Sequence, residues 1–82
     1  MILEYFTAPW CAPCKTMLPM VEDVWKGEMR IIDYMNGGSE LIEDAGVLSF
    51  PTMRLLDVDK EITRHTGVMG RGDFERWIKV AE

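Results

Sequence analysis

The two cysteines of this chain, Cys11 and Cys14, are separated only by Ala12 and Pro13, and they stand between an apolar run and a helical stripe. They constrain the fold more than any other feature. A loop of two residues is too short to staple a structure, so a secreted disulfide scaffold is excluded. The pair is there for chemistry or by accident, and its position between a strand and a helix, with Trp10 and Pro13 alongside, favours chemistry. The run before it, Ile2–Thr7, is apolar and aromatic and stops at Ala8-Pro9, which reads as a buried strand. After it, Cys14, Leu18, Val21 and Trp25 step by four, three and four, the stripe of a helix over residues 12–26. Met17, Met20 and Val24 widen that stripe, and Met17 and Met20 are expected to fill the core. Pro19 should bend the helix, since a proline inside it removes a backbone donor. Gly27 should end it.

The rest of the chain continues the alternation. Residues 29–35 read as a strand rich in Ile and Tyr. Asn36-Gly37-Gly38 form a loop, and Ser39 caps a short helix over 40–45. Residues 52–56 and 61–66 read as two strands of a hairpin turning at Asp57-Val58-Asp59-Lys60, without a glycine. In the last helix, over 72–81, Phe74, Trp77, Ile78 and Ala81 recur at helical spacing behind Gly70 as N-cap, with Asp73 near the positive end. The order is β-α-β-α-β-β-α. A helix between the first two strands makes them parallel, and the hairpin adds two antiparallel ones. The expected class is α/β: a four-stranded mixed sheet flanked by three helices, in one domain over 1–82.

The chemistry lies in Trp10-Cys11-Ala12-Pro13-Cys14-Lys15, at the junction of strand and helix. Cysteines three apart in a first helical turn can bring their Cα atoms within the ~4.4–6.8 Å a disulfide needs. Cys11 falls at the helix edge, where unpaired N–H groups and the positive dipole end favour thiolate over thiol. Cys14, one turn in, is more enclosed. That asymmetry suits exchange in two steps, with Cys11 attacking a disulfide and Cys14 resolving the mixed disulfide. Zinc needs about four ligands, and this chain offers one cysteine pair and the distant His65. No metal is expected, and His65, between Arg64 and Thr66, reads as a surface residue. Pro51, at the start of a strand, is placed where a cis peptide bond is cheap.

Charge and hydropathy narrow the class further. The net charge is −5, from 14 acidic and 9 basic residues, which argues against a nucleic-acid partner. No stretch approaches the ~20 apolar residues of a membrane span. The first residues lack the pattern of a secretory signal. A cytoplasmic location is expected, where a close cysteine pair is more often catalytic than structural.

The Trp10–Lys15 motif resembles the active site of the thioredoxin family, with Ala12 where glycine is usual. Pro19 is similar to the proline of that family's active-site helix. Phe50-Pro51-Thr52 resembles its cis-proline segment, which faces the cysteines and holds substrate backbone. Gly67 and the loop to Gly72 resemble the approach to its last helix. The resemblance covers nearly all of the chain and lacks only a leading strand and helix, which makes the chain similar to the compact thioredoxins and glutaredoxin-like proteins. It implies a thioredoxin-like fold and a protein dithiol–disulfide oxidoreductase. Trp10, Pro13, Phe50, Pro51 and Gly67 would then form the substrate surface around Cys11 and Cys14. No bound cofactor is implied. The partners would be disulfide-containing proteins and a flavoprotein disulfide reductase that recycles the pair, and the chain would act as a monomer. A glutaredoxin-like donor recycled by glutathione and a redox-idle binding module are the alternatives. One departure concerns mechanism. Tyr5 stands where the family keeps a buried Asp that assists proton transfer at the second cysteine. That leaves water, Glu4, Asp33 or the Cys11 sulfur as acceptor.

Overall fold

A computed structural model describes residues 1–80. Its elements follow in the order β1 (Ile2–Thr7), α1 (Ala12–Val24), β2 (Glu28–Asp33), α2 (Ser39–Asp44), β3 (Thr52–Asp57), β4 (Lys60–Thr66) and α3 (Arg71–Lys79). The strands form one sheet in the order β2-β1-β3-β4. β1 and β2 are parallel, while β3 is antiparallel to both β1 and β4. The expected α/β architecture with a mixed sheet and three helices is therefore present. Ala81, assigned to the last helical stripe, lies outside the described residues.

The alternation of β1 divides the core. Leu3 and Tyr5 face α1 and α3, where they pack with Cys14, Met17, Val21, Met53, Leu55 and Phe74. Phe6 faces the other way and packs with Ile32, Ile42 and Val47 beneath α2. Glu4 shares the Phe6 face, where Arg30, Glu4, Arg54 and Arg64 are register partners across all four strands. The Glu4 side chain is only 7% exposed and accepts a hydrogen bond from Arg54 Nε at 2.6 Å. A buried carboxylate needs such a partner. Arg54 also lies over the Phe6 ring, 5.4 Å from its centroid. Arg64 donates to Glu61 and to the Ala45 carbonyl at the end of α2. Arg54 Nη1 also donates to Glu61 at 3.4 Å, and the bonds from Arg64 first and then Arg54 hold the Glu61 carboxyl below its ordinary value. Paired charges thus close the part of this face that α2 leaves open.

Element ends differ from expectation for local reasons. α1 stops at Val24, because Trp25 turns extended while its N–H still reaches Val21 O. The Trp25 indole N–H then donates to Glu28 O at 2.8 Å. Gly27 follows because the indole lies over it, where a Cβ would meet a ring carbon at 2.8 Å. α1 runs through Pro19; the proline and Lys15, whose carbonyl loses a partner, are both exposed. β2 ends at Asp33 rather than residue 35, since the Asp33 carboxylate accepts the Met35 N–H and starts a wide turn over Tyr34–Gly38. Gly38, not Ser39, is the N-cap of α2, and no side chain caps it.

The β3–β4 hairpin turns through Val58-Asp59, between the paired Asp57 and Lys60. Val58 holds a φ of +59°, which a β-branched residue adopts only at a cost. Its side chain is 77% exposed and contributes little burial. Val58→Gly is expected to stabilise the fold by about 1 kcal/mol, a rise of roughly 4–8 °C in Tm by calorimetry.

Candidate active site

Cys11 and Cys14 lie where β1 ends and α1 begins, at the end of the sheet where the parallel strands β1 and β2 both finish. They are joined by a disulfide with Cα atoms 5.3 Å apart. Cys11 is the N-cap of α1, with φ −92° and ψ 93°. Its sulfur accepts the backbone N–H of Cys14 at 3.2 Å, one of the orphan donors that open every helix. Pro13 lies in the first turn, where its missing N–H costs nothing. Cys14 is the more enclosed of the two, at 1% exposure against 7% for Cys11.

Around the pair the structure gathers most of the residues singled out in the sequence. Trp10 is 63% exposed. Its ring stands edge-on to Tyr34 at 5.4 Å and to Phe50 at 6.4 Å, and Tyr34 and Phe50 meet at 6.4 Å. The Phe50–Pro51 peptide is cis, as its place at a strand start allows. Pro51 is buried, and its carbonyl accepts the Gly67 N–H at 2.8 Å. That bond ties the loop after β4 to the proline segment. Gly67 has a φ of +102°, a conformation that favours glycine.

Tyr34 was not among the expected site residues. It reads as part of a strand, and only the Asp33 cap swings it beside Trp10. Its place just past the carboxyl end of a parallel strand is the signal that could have found it.

Tyr5 is fully buried, and its hydroxyl donates to the Cys14 carbonyl at 2.7 Å. Burial pushes its pKa up to about 12, so it remains a neutral phenol at working pH. Of the two carboxylates that could accept the Cys14 proton, Glu4 is paired with Arg54 on the opposite sheet face, and Asp33 is engaged as a cap. His65, expected at the surface, is instead half-buried. Register places it in one row with Met53 and Tyr5, and its ring lies 6.5 Å from that of Trp77 on α3.

The family model described as Thioredoxin matches residues 1–80. The chain belongs to the thioredoxin family. Among curated thioredoxins it is 32% identical to that of Borreliella burgdorferi, over 90% of this chain and 67% of the relative. It is also 27% identical to a bifunctional thioredoxin reductase/thioredoxin of Mycobacterium leprae, over 92% of this chain and 17% of that one. Its fold superimposes on thioredoxin 1 of Thermosipho africanus with a TM-score of 0.77 at 25% identity, covering 99% of this chain and 98% of the other. Thioredoxins are protein disulfide oxidoreductases, and the cysteine pair of that activity is present here. The chain is thus a thiol–disulfide oxidoreductase of thioredoxin-like fold. Among the described residues, no helix is long and apolar enough to cross a membrane.

Proposed function

We propose that this thioredoxin reduces protein disulfides, with Cys11 as nucleophile and Cys14 as resolving thiol. The observation that carries the reading is the Cys14 N–H directed at the Cys11 sulfur, 3.2 Å away at the helix N-terminus. A donor there stabilises negative charge on Cys11 and does nothing comparable for Cys14. In the reduced protein the Cys11 thiolate attacks one sulfur of the substrate disulfide. A new S–S bond forms, the old one breaks, and the first substrate thiol leaves with a proton. Cys14 then gives up its proton and attacks the Cys11 sulfur. The second substrate thiol leaves, and the protein holds the Cys11–Cys14 disulfide. With Glu4 and Asp33 engaged elsewhere, the Cys14 proton passes to water or to a departing sulfur.

Trp10, Phe50 and Pro13 offer a shallow, partly apolar surface for the substrate chain, and Pro51 and Gly67 hold its backbone. Two electrons must then return to the pair. The relative that joins a thioredoxin reductase to a thioredoxin in one chain supports a flavoprotein disulfide reductase as the donor. A reducing cytoplasm is the compartment that suits this direction. The reading is tested with Cys14→Ser. Incubated with a protein disulfide, this variant should accumulate a mixed disulfide through Cys11, visible as a mass adduct that dithiothreitol removes. If no adduct forms, the resolving role of Cys14 is wrong.

A further inference from the structure

Tyr5 lies on β1, an inner strand of the sheet, where Ile31 and Met53 are its register partners on either side. Its side chain is fully buried, and its hydroxyl donates to the Cys14 carbonyl at 2.7 Å. The sheet is thus tied to the turn of α1 that carries the resolving cysteine. Packing does not require the hydroxyl, since phenylalanine would fill the same space with no polar atom to bury. Burying that atom is costly unless it is bonded. The carbonyl does not depend on it either. Cys14 lies inside α1, where its carbonyl has a helical partner, and the hydroxyl takes the second lone pair.

What the bond does is fix a position. The start of α1 is short of ties, because Pro19 leaves the Lys15 carbonyl without its helical donor. In the disulfide, that turn is also pinned through the sulfurs, with the Cα atoms 5.3 Å apart. On reduction the two sulfurs separate to van der Waals contact, and the covalent pin is gone. The Tyr5 bond then remains, and it ties Cys14 to the sheet rather than to its own helix. Two groups held in reacting geometry exchange faster and more completely than two that wander apart. Burial pushes the Tyr5 pKa up to about 12, so the donor proton stays in place wherever the thiols work.

We propose that Tyr5 is a positioning residue for the resolving step: its hydroxyl anchors Cys14 to the sheet and so raises the effective concentration of the Cys14 sulfur at Cys11. The inference rests on the reading of Cys14 as resolving thiol. The test mixes reduced protein with excess symmetrical thionitrobenzoate disulfide and follows absorbance by stopped flow. Cys11 attacks one reagent sulfur and releases the other as thionitrobenzoate, at a rate that depends on reagent concentration. Cys14 then attacks the Cys11 sulfur and releases the second thionitrobenzoate, at a rate that does not. In Tyr5→Phe, folded by circular dichroism, the first step should stay within about twofold while the second slows about fivefold, the worth of one hydrogen bond. The potential of the pair against glutathione should rise by about 20 mV, the same fivefold at about 30 mV per tenfold. The slowing should be equal in weakly acid and weakly alkaline solution, because an anchor passes no proton. Ile42→Val, a loss of similar size in the core beneath α2, should move neither quantity. A second step and a potential that Tyr5→Phe leaves alone, or that Ile42→Val changes as much, overturn the anchor and leave the cysteine chemistry standing. Slowing that varies with pH would make Tyr5 an acid or base, and also overturns the proposal. Release of only one thionitrobenzoate by the wild type overturns the resolving role of Cys14 itself.

Discussion

Replacing Cys11 with serine should reduce the turnover of a protein disulfide to the background of dithiothreitol alone. Serine keeps the size and the N-cap geometry, because its hydroxyl can accept the Cys14 N–H as the sulfur does. Any loss is then chemical. A hydroxyl at an ordinary pKa is not a nucleophile toward sulfur, and no other thiol remains at the helix end. The expected loss is a thousandfold or more, about 4 kcal/mol of transition-state stabilisation. Insulin reduction, followed as turbidity with dithiothreitol as electron source, measures it. Equal rates for the two proteins would mean that the thioredoxin fold is present but redox-idle. The same variant should melt within a few degrees of the reduced wild type, which separates lost chemistry from lost structure.

The second large effect concerns Tyr5. Its ring is fully buried among Leu3, Cys14, Met53 and Phe74, and its hydroxyl holds the Cys14 carbonyl at 2.7 Å. Tyr5→Ala removes most of an aromatic side chain from the centre of the larger core. The expected cost is about 3–5 kcal/mol. That is a large share of the stability of a small domain, whose total is roughly 5–15 kcal/mol. Chemical denaturation should show a variant that is partly unfolded in buffer. Tyr5→Phe keeps the packing and loses the hydrogen bond alone, which costs about 1 kcal/mol. The two variants differ further in alkali. The folded-state pKa of Tyr5, about 12, lies above the ordinary value of 10.0. Its contribution is therefore complete below pH 10 and is lost as pH rises through 10 toward 12, because the unfolded chain releases the proton first. Wild type should lose stability more steeply over that window than Tyr5→Phe. Parallel curves would show that the phenol is not held in its neutral form by the fold.

Much of this molecule was legible in its sequence, for identifiable reasons. The cysteine pair, the β1 run and the α1 stripe are local patterns with a fixed period, and period is what burial on one face imposes. The Phe50–Pro51 bond was legible as a backbone requirement, since proline at a strand start declares it by type, whereas Gly67 was legible only through the family resemblance. Other features depend on contacts between distant segments. Nothing in the order of residues says that the Tyr5 hydroxyl ends on the Cys14 carbonyl. It follows from how α1 lies across the sheet. Tyr34 reads as strand because its neighbours are apolar, and a single bond from the Met35 N–H to Asp33 removes it. Trp25 leaves its helix early so that its indole can reach Glu28 O. His65 has polar neighbours in sequence, yet strand alternation turns it toward Trp77. In each case a specific hydrogen bond or ring contact overrode the local pattern, and three of the four residues lie in or against the core beneath the cysteine pair.

The central claim is an asymmetry: one sulfur at the helix end, held as thiolate, and one beneath it, held as thiol. Alkylation of the reduced protein tests it most directly. With a limiting amount of iodoacetamide at pH 7, peptide mapping by mass spectrometry should place the label on Cys11. The rate should follow a titration with its midpoint below the ordinary thiol value of about 8.5. Label shared equally between Cys11 and Cys14, or found first on Cys14, would contradict the account.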